Sequence, residues 1–298
     1  MELTQLAAQV QALLPDSPFD LPQTARPMPD VLLLHSTEPT PMKAALYDPV
    51  VCLILRGSKE VLLGDMDVRP GPGDALVVSH VLPVVSRITC ARPDEPYLAL
   101  ILWLDVALLR TLHDEVESTG RRPKGAPESL AVCPADPRLI DAMSRYIALA
   151  GDEVEAKVLA HSIRREIHFR LLMAPNGGML RSLMHHDSHA SLIARAIARI
   201  RTDFRETIAM PALAKEIGMS LSSLHKHFRE ITSTTPLQYQ KELRLLEARQ
   251  LLLAGQRSVS DVAYQVGYES PNQFSREYTR KYGASPSVDL RRRAAAAQ

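Results

Sequence analysis

Two nine-residue stretches concentrate side chains able to hydrogen-bond a partner. One is S-L-S-S-L-H-K-H-F, from Ser220 to Phe228; the other is S-P-N-Q-F-S-R-E-Y, from Ser270 to Tyr278. Arginine and lysine suit the O6 and N7 acceptors of guanine, and asparagine or glutamine suits adenine. Histidine and cysteine offer other chemistry. In the run His185, His186, Asp187 and His189, the first and last would stand one turn apart on a helix, a spacing that suits Zn²⁺. The run falls in a predicted linker, however, where polar residues are expected anyway. A catalytic metal barrel needs clustered histidines, and residues 31–104 hold only His35 and His80, far apart and without partners at ligand spacing. No metal and no cofactor are expected. Cys52, Cys90 and Cys133 are odd in number and widely spaced, which argues against a disulfide framework and fits a reducing cytosol. Cys52 and Cys90 fall in predicted strands, where a thiol acts as a small apolar residue. The alternative is a thiol that senses electrophiles or oxidants, which requires a lowered pKa. No Ser-His-Asp order, glycine-rich phosphate loop or carboxylate pair stands out, so no enzymatic activity is expected.

The elements around the two stretches repeat as well. Leu213-Ala214, three residues and Ile217-Gly218 precede the first; Val262-Ala263, three residues and Val266-Gly267 precede the second. The offset is 49 residues up to the glycine and 50 after it, because Glu269 is an extra residue in the second turn. Each copy reads as helix, tight turn, helix. Ala214 and Ala263 are small where helices cross, and Gly218 and Gly267 sit where a helix ends in a left-handed turn. Ser220 and Ser270 can cap the next helix. Leu224 and Phe228, or Phe274 and Tyr278, lie four apart on one buried face. This is the pattern of a helix-turn-helix, whose second helix lies in the DNA major groove. Pro236 to Ala254 reads as one helix between the copies. Its 19 residues span roughly 28 Å, near the ~34 Å between successive major-groove faces on one side of DNA.

Length and charge agree with two domains. The chain has 298 residues, is 46% hydrophobic and carries a formal net charge of +1. Residues 190–298 hold 17 Lys/Arg and 10 Asp/Glu, or +7; residues 1–189 hold 18 and 24, or −6. A basic module beside an acidic one suits a nucleic-acid binder joined to a non-binding domain. No eighteen-residue apolar stretch and no secretory leader pattern is present, so a cytoplasmic, non-membrane location is expected. Residues 3–14 read as a short amphipathic helix and Pro15 to Pro29 as a proline-rich connector. From Val31 to Leu104, apolar runs alternate with turn residues: 31–34, 50–55, 60–63, 74–78, 84–88 and 97–104. Strands at this spacing predict a barrel or sandwich. Helices are predicted at Val106–Glu117, Pro137–Ala150, Glu153–Met173 and about Ser191–Phe204, with Pro175-Asn176-Gly177-Gly178 breaking the third.

The C-terminal region resembles the DNA-binding domain of the AraC/XylS family of bacterial transcription regulators. T-P-L-Q-Y (235–239), R-L-L-E-A-R-Q-L-L (244–252), S-V-S-D-V-A-Y-Q-V-G-Y-E-S-P-N-Q-F-S-R-E-Y (258–278) and G-A-S-P (283–286) carry the likeness. Two positions depart from it. The glycine usual before T-P is Ser233, and V-D-L-R-R-R follows S-P in place of an aromatic-Arg ending. R-P-G-P-G-D-A-L-V-V resembles a turn and strand of cupin barrels. Y-D-P-V-V-C-L-I-L-R-G-S-K-E-V-L-L-G-D with P-Y-L-A-L-I-L-W-L-D resembles the N-terminal domain of one AraC-type subfamily.

The resemblance implies an N-terminal cupin-like β-barrel with flanking helices (1–175), a linker (176–189), and an all-α DNA-binding domain (190–298) with two helix-turn-helix units joined by a long helix. By alignment with the family, Ser222, Ser223, His225 and Lys226 read bases from the first unit, and Asn272, Gln273, Ser275 and Arg276 from the second. Ser220, Arg229, Ser270 and Arg280 fall to phosphate. The implied partners are a double-stranded DNA operator, RNA polymerase and a small-molecule effector. The helices after the barrel form either a homodimer surface or a covering for their own barrel. Val51, Leu53, Leu55, Leu76 and Val78, with Cys52 and Cys90, are the candidate effector pocket, whose apolar lining favours a small apolar or aldehyde-like ligand over a sugar.

Overall fold

The computed structural model describes residues 3–15, 22–120, 128–254 and 258–296. Part of the proline-rich connector, residues 16–21, lies outside them. The chain divides into two compact units, Met1–Ser191 with Ile231–Ser233, and Leu192–Glu230 with Thr234–Gln298.

The first unit is built on ten strands: β1 Gln23–Ala25, β2 Val31–Ser36, β3 Lys43–Tyr47, β4 Val50–Arg56, β5 Ser58–Leu63, β6 Met66–Val68, β7 Asp74–Val78, β8 Leu82–Cys90, β9 Tyr97–Trp103 and β10 Leu130–Pro134. The six apolar runs became β2, β4, β5, β7, β8 and β9. β10 lies in a stretch whose pattern reads as helical; it is a strand because it pairs with β7, Leu130 opposite Val78. The strands form two antiparallel sheets, ordered β1-β2-β9-β4-β7-β10 and β3-β8-β5-β6. Buried side chains from both sheets share one core, including Cys52, Ile54, Leu76, Tyr97, Val61, Leu82 and Ile88.

That core takes in only part of the residue set expected to line the pocket. From Val50 to Leu55 β4 is apolar and buried on both faces, so its sequence has no alternation to show which face turns inward. The structure turns Val50, Cys52 and Ile54 into the shared core with Leu76 and Val78. Val51, Leu53 and Leu55 therefore take the opposite face of the pleat, on the strand against which helix α1 (Leu3–Ala12) packs. Cys90, at the end of β8, is exposed rather than interior.

The remaining helices of this unit are α2 Val106–Ser118, α3 Pro137–Ala148, α4 Glu153–Met173 and α5 Gly178–Met184. Asp105 caps α2 through Leu108 N–H at 3.0 Å, and its carboxylate also pairs with Arg164 of α4 at 2.6 Å. The segment expected to be a linker, 176–189, is largely folded. A 3-10 turn at Pro175–Gly177 leads straight into α5, which buries Met179, Leu180, Leu183 and Met184. The Pro-Asn-Gly-Gly punctuation marked the end of α4, but the apolar residues beyond it pack.

The second unit is helical: α6 His189–Asp203 enters it, followed by α7 Met210–Glu216, α8 Leu221–Thr232, α9 Pro236–Ala254, α10 Val259–Gln265, α11 Pro271–Tyr282 and α12 Pro286–Ala296. α9 has the bounds read from the sequence. One of its cores joins Leu245, Ala248 and Leu252 of α9 to Val262, Ala263, Phe274 and Tyr278.

Candidate nucleic-acid interface

α7 and α8 form one helix-turn-helix, and α10 and α11 the other. Gly218 and Gly267 both have left-handed backbone, φ 79° and 89°. Ser220 Oγ accepts from Ser223 N–H at 3.2 Å, and Ser270 Oγ from Gln273 N–H at 3.5 Å. Both serines assigned to phosphate therefore also act as helix caps.

The two second helices bury the same register. Leu224 and Phe228 of α8 are fully buried, as are Phe274 and Tyr278 of α11. The opposite faces carry the residues aligned with base reading. Ser222, Lys226 and Arg229 on α8 are exposed, with Ser223 and His225 half-buried. On α11 Asn272, Gln273, Arg276 and Arg280 are exposed and Ser275 is half-buried. Each helix thus offers one face of donors and acceptors backed by aromatic anchors. His227 turns aside to Glu230, 2.7 Å from its Nδ1.

Side chains that the sequence reading did not single out tie these helices to their neighbours. Glu277 of α11 accepts from Lys241 Nζ of α9 at 2.8 Å and from Tyr268 Oη at 2.9 Å. Burial would raise the Glu277 carboxyl, but bonds from Lys241, Tyr268 and Gln273 outweigh it and hold the group below its usual range. One turn along α9, Arg244 Nε donates to Phe204 O at 2.6 Å, and Gln240 Nε2 donates to Glu206 O at 2.6 Å. The same segment meets the second turn. A Cβ on Gly267 would stand 2.0 Å from Arg205 O, whereas one on Gly218 would meet nothing within 4 Å. In the first motif, Arg195 donates to Ile217 O at 3.0 Å, and Phe228 meets Tyr239 edge-on at 5.5 Å.

The two departures from the family pattern are accommodated. Ser233 takes the left-handed conformation itself, φ 58°. The last helix forms, and its Asp289 accepts from Tyr278 Oη at 2.8 Å, bracing α11 from behind.

In the first unit the core holds polar groups as well. Lys59, on the inward face of β5, is buried and donates to Tyr47 Oη at 2.6 Å. No carboxylate among the described residues pairs with it. Cys52 lies beside Lys59 and Tyr97; burial pushes its thiol up, against the opposing pull of both neighbours. A raised thiol is not poised as a nucleophile.

Residues 27–179 match the family described as AraC-type transcriptional regulator N-terminus, and residues 213–292 match a helix-turn-helix domain. The HTH-type transcriptional activators RhaS of Citrobacter koseri and Salmonella agona are 30% and 31% identical over 139 residues, 46% of this chain and 48% of theirs. The chain thus spans about half the length of the curated relatives it matches. Among solved structures, apo ToxT of Vibrio cholerae aligns with TM-score 0.58 at 11% identity, over 88% of this chain and 97% of that one. ToxT with unsaturated fatty acid bound aligns with TM-score 0.55 at 13% identity, over 88% and 93%. These likenesses establish a shared two-domain fold.

Proposed function

The chain belongs to the AraC-type transcriptional regulators, and we propose that it binds a DNA operator with both helix-turn-helix units and changes transcription there in response to a small molecule held by the first unit. The observation that carries this is the matched pair α8 and α11, which bury the same register and each present a polar face that ends in basic residues, Lys226 and Arg229 on one and Arg276 and Arg280 on the other. A rigid spacer, α9, joins them. Selecting bound fragments from random duplexes with the full-length protein, at two salt concentrations, tests the reading. A recovered site with two half-sites about one helical turn apart is expected; recovery of unrelated sequences would sink it. RNA polymerase is the second partner. In vitro transcription from a promoter carrying the selected site should rise or fall when the protein is added. The activity is binding rather than catalysis, and the site of action is the cytoplasm.

For the effector, we favour an apolar molecule with an acidic head over the aldehyde-like class. A buried ammonium is costly without a counter-charge. Lys59, with the hydroxyls of Tyr47 and Tyr97 nearby, supplies the charge that a carboxylate would complete. The fatty acid held by ToxT is of that class. Calorimetric titration with a medium-chain carboxylate should show binding that Lys59→Met removes; equal binding by the variant would exclude this anchor. A second copy of the chain is the other partner. Val154, Val158 and Leu159 on the first turns of α4 are 75%, 68% and 44% exposed, an apolar stripe uncovered by its own barrel. Sedimentation should show a dimer that Val154→Glu with Val158→Glu dissociates, and a wild-type monomer at all concentrations would refute the assignment.

A further inference from the structure

α2 presents His113 and Glu117 four residues apart, on one face of the helix. The chain leaving α5 brings His185 to the same place, as the residue that ends that helix. One ligand atom from each of the three lies within 4.8 Å of the other two. The imidazoles of His113 and His185 meet edge to face, centroids 4.5 Å apart at 84°. His185 Nε2 stands 3.8 Å from Glu117 Oε1. We propose that His113, Glu117 and His185 form a binding site for a divalent transition-metal ion of the Zn²⁺ class.

The distances support this. Two ligands held at about 2.0–2.1 Å from one Zn²⁺ stand roughly 3.3 Å from each other in a tetrahedral site. The separations here exceed that by amounts that rotations of Glu117 and His185 can close, since both are exposed. His113 is the fixed member, 5% exposed and set in the α2 surface. Asp114 adds a carboxylate 3.7 Å from His113 Nδ1, and a carboxylate beside a ligating histidine orients the ring and favours the cation. Two imidazoles and one carboxylate are a donor set for Zn²⁺ and its neighbours, and too nitrogen-rich for Mg²⁺ or Ca²⁺. Three protein ligands leave a fourth position for water. A bound ion would staple α2 to the short segment between α5 and α6.

His185 was the residue in the H-H-D-S-H run that suggested metal binding, but with a different partner. His185 ends α5 and His189 begins α6, so the two do not share a helix face. The ligands instead come from α2, far away in sequence. The proposal does not depend on DNA binding.

The test uses the full-length protein, stripped with a chelator and desalted. Zn²⁺ is titrated by calorimetry and in competition with a chromophoric chelator, and Co²⁺ binding is followed by visible absorption. The expected result is one ion per chain, with Co²⁺ bands of four- or five-coordination. His185→Ala and Glu117→Gln change exposed residues and should each weaken binding by roughly tenfold or more, as loss of a ligand or its support does. His186→Ala with His189→Ala should leave binding intact. Absence of saturable Zn²⁺ binding in the wild type would mean that His185 and Glu117 form only an ion pair, and would overturn the proposal. So would undiminished binding by His185→Ala, or loss of binding in the His186/His189 variant alone.

Discussion

Gly218 and Gly267 stand at the same place in two copies of one motif, yet only one is hemmed in. Both have left-handed backbone, which costs another residue about 1–2 kcal/mol. A Cβ at Gly267 would also collide with the Arg205 carbonyl, in a segment that Gln240 and Arg244 hold in place. Overpacking of that kind adds roughly 1–3 kcal/mol. Urea denaturation should therefore show Gly267→Ala less stable than Gly218→Ala by that margin. Equal losses would mean that the Arg205 contact does not hold the turn. On the exposed face, Arg276 and Arg229 are expected to differ in kind. Arg276 can hold one guanine by two hydrogen bonds, worth roughly 1–3 kcal/mol of discrimination, so Arg276→Ala should weaken the operator and relax one base pair. Lys226 lacks the planar fork, and Lys226→Ala should lose affinity with less change in preference. Arg229→Ala should weaken all sequences alike and flatten the slope of log affinity against log salt by about one unit. Binding to single-base operator variants at two salt concentrations separates these outcomes. A uniform loss in Arg276→Ala would move that residue to the phosphate group.

At the scale of elements, α11 is held by charge as well as by its aromatic side. Lys241 and Glu277 are 29% and 13% exposed, so their pairing is only partly screened. Removing Glu277 takes the carboxylate from Lys241, whereas removing Lys241 leaves Glu277 without its cation and held only by Tyr268 and Gln273. A double-mutant cycle on Lys241→Met and Glu277→Gln should give a coupling of roughly 1–2 kcal/mol. The double variant should be more stable than either single change predicts by addition. Additive losses would show that the aromatic anchors alone set α11. Ser233 makes a related point about the turn before α9. The chain keeps a left-handed turn there with a residue that resists it. The geometry is required by the two helices that it joins, and Ser233 shows that glycine only makes it cheaper.

Across the whole molecule, the two units are expected to differ in their response to acid. His80 is fully buried between Ser79 Oγ at 2.8 Å and Ala190 O at 3.0 Å, and burial lowers its pKa from 6.5 to about 4. The folded value lies below the ordinary one. The stability carried by the neutral ring is complete above pH ~6.5 and is lost as pH falls towards 4, about 2 kcal/mol being gone at pH 5. Thermal unfolding at pH 7 and pH 5 should show this loss in the full chain, reduced by His80→Gln. Residues 192–298 expressed alone lack His80 and should keep their helical circular dichroism at pH 5. An equal acid loss in His80→Gln would place the sensitivity elsewhere.

Local pattern carried the second unit. Two glycines, two caps and apolar pairs four apart specify helix and turn within a few residues of themselves, and the repeat marks which helices present a polar face. The limits of α9 followed for the same reason, since its apolar stripe and Pro236 are local signals. Only tertiary structure decided the rest. β4 is apolar on both faces, so nothing along it shows that Cys52 rather than Val51 turns inward; the packing of α1 on one side and the second sheet on the other settles it. The residues after Pro175 look like a connector until Leu180 and Leu183 find a surface to pack on. Lys241 meets Glu277, and His113 meets His185, across distances in sequence that no periodicity records. Secondary structure is written in neighbours a turn apart, whereas a charge pair or a set of ligands exists only once the chain has folded back on itself.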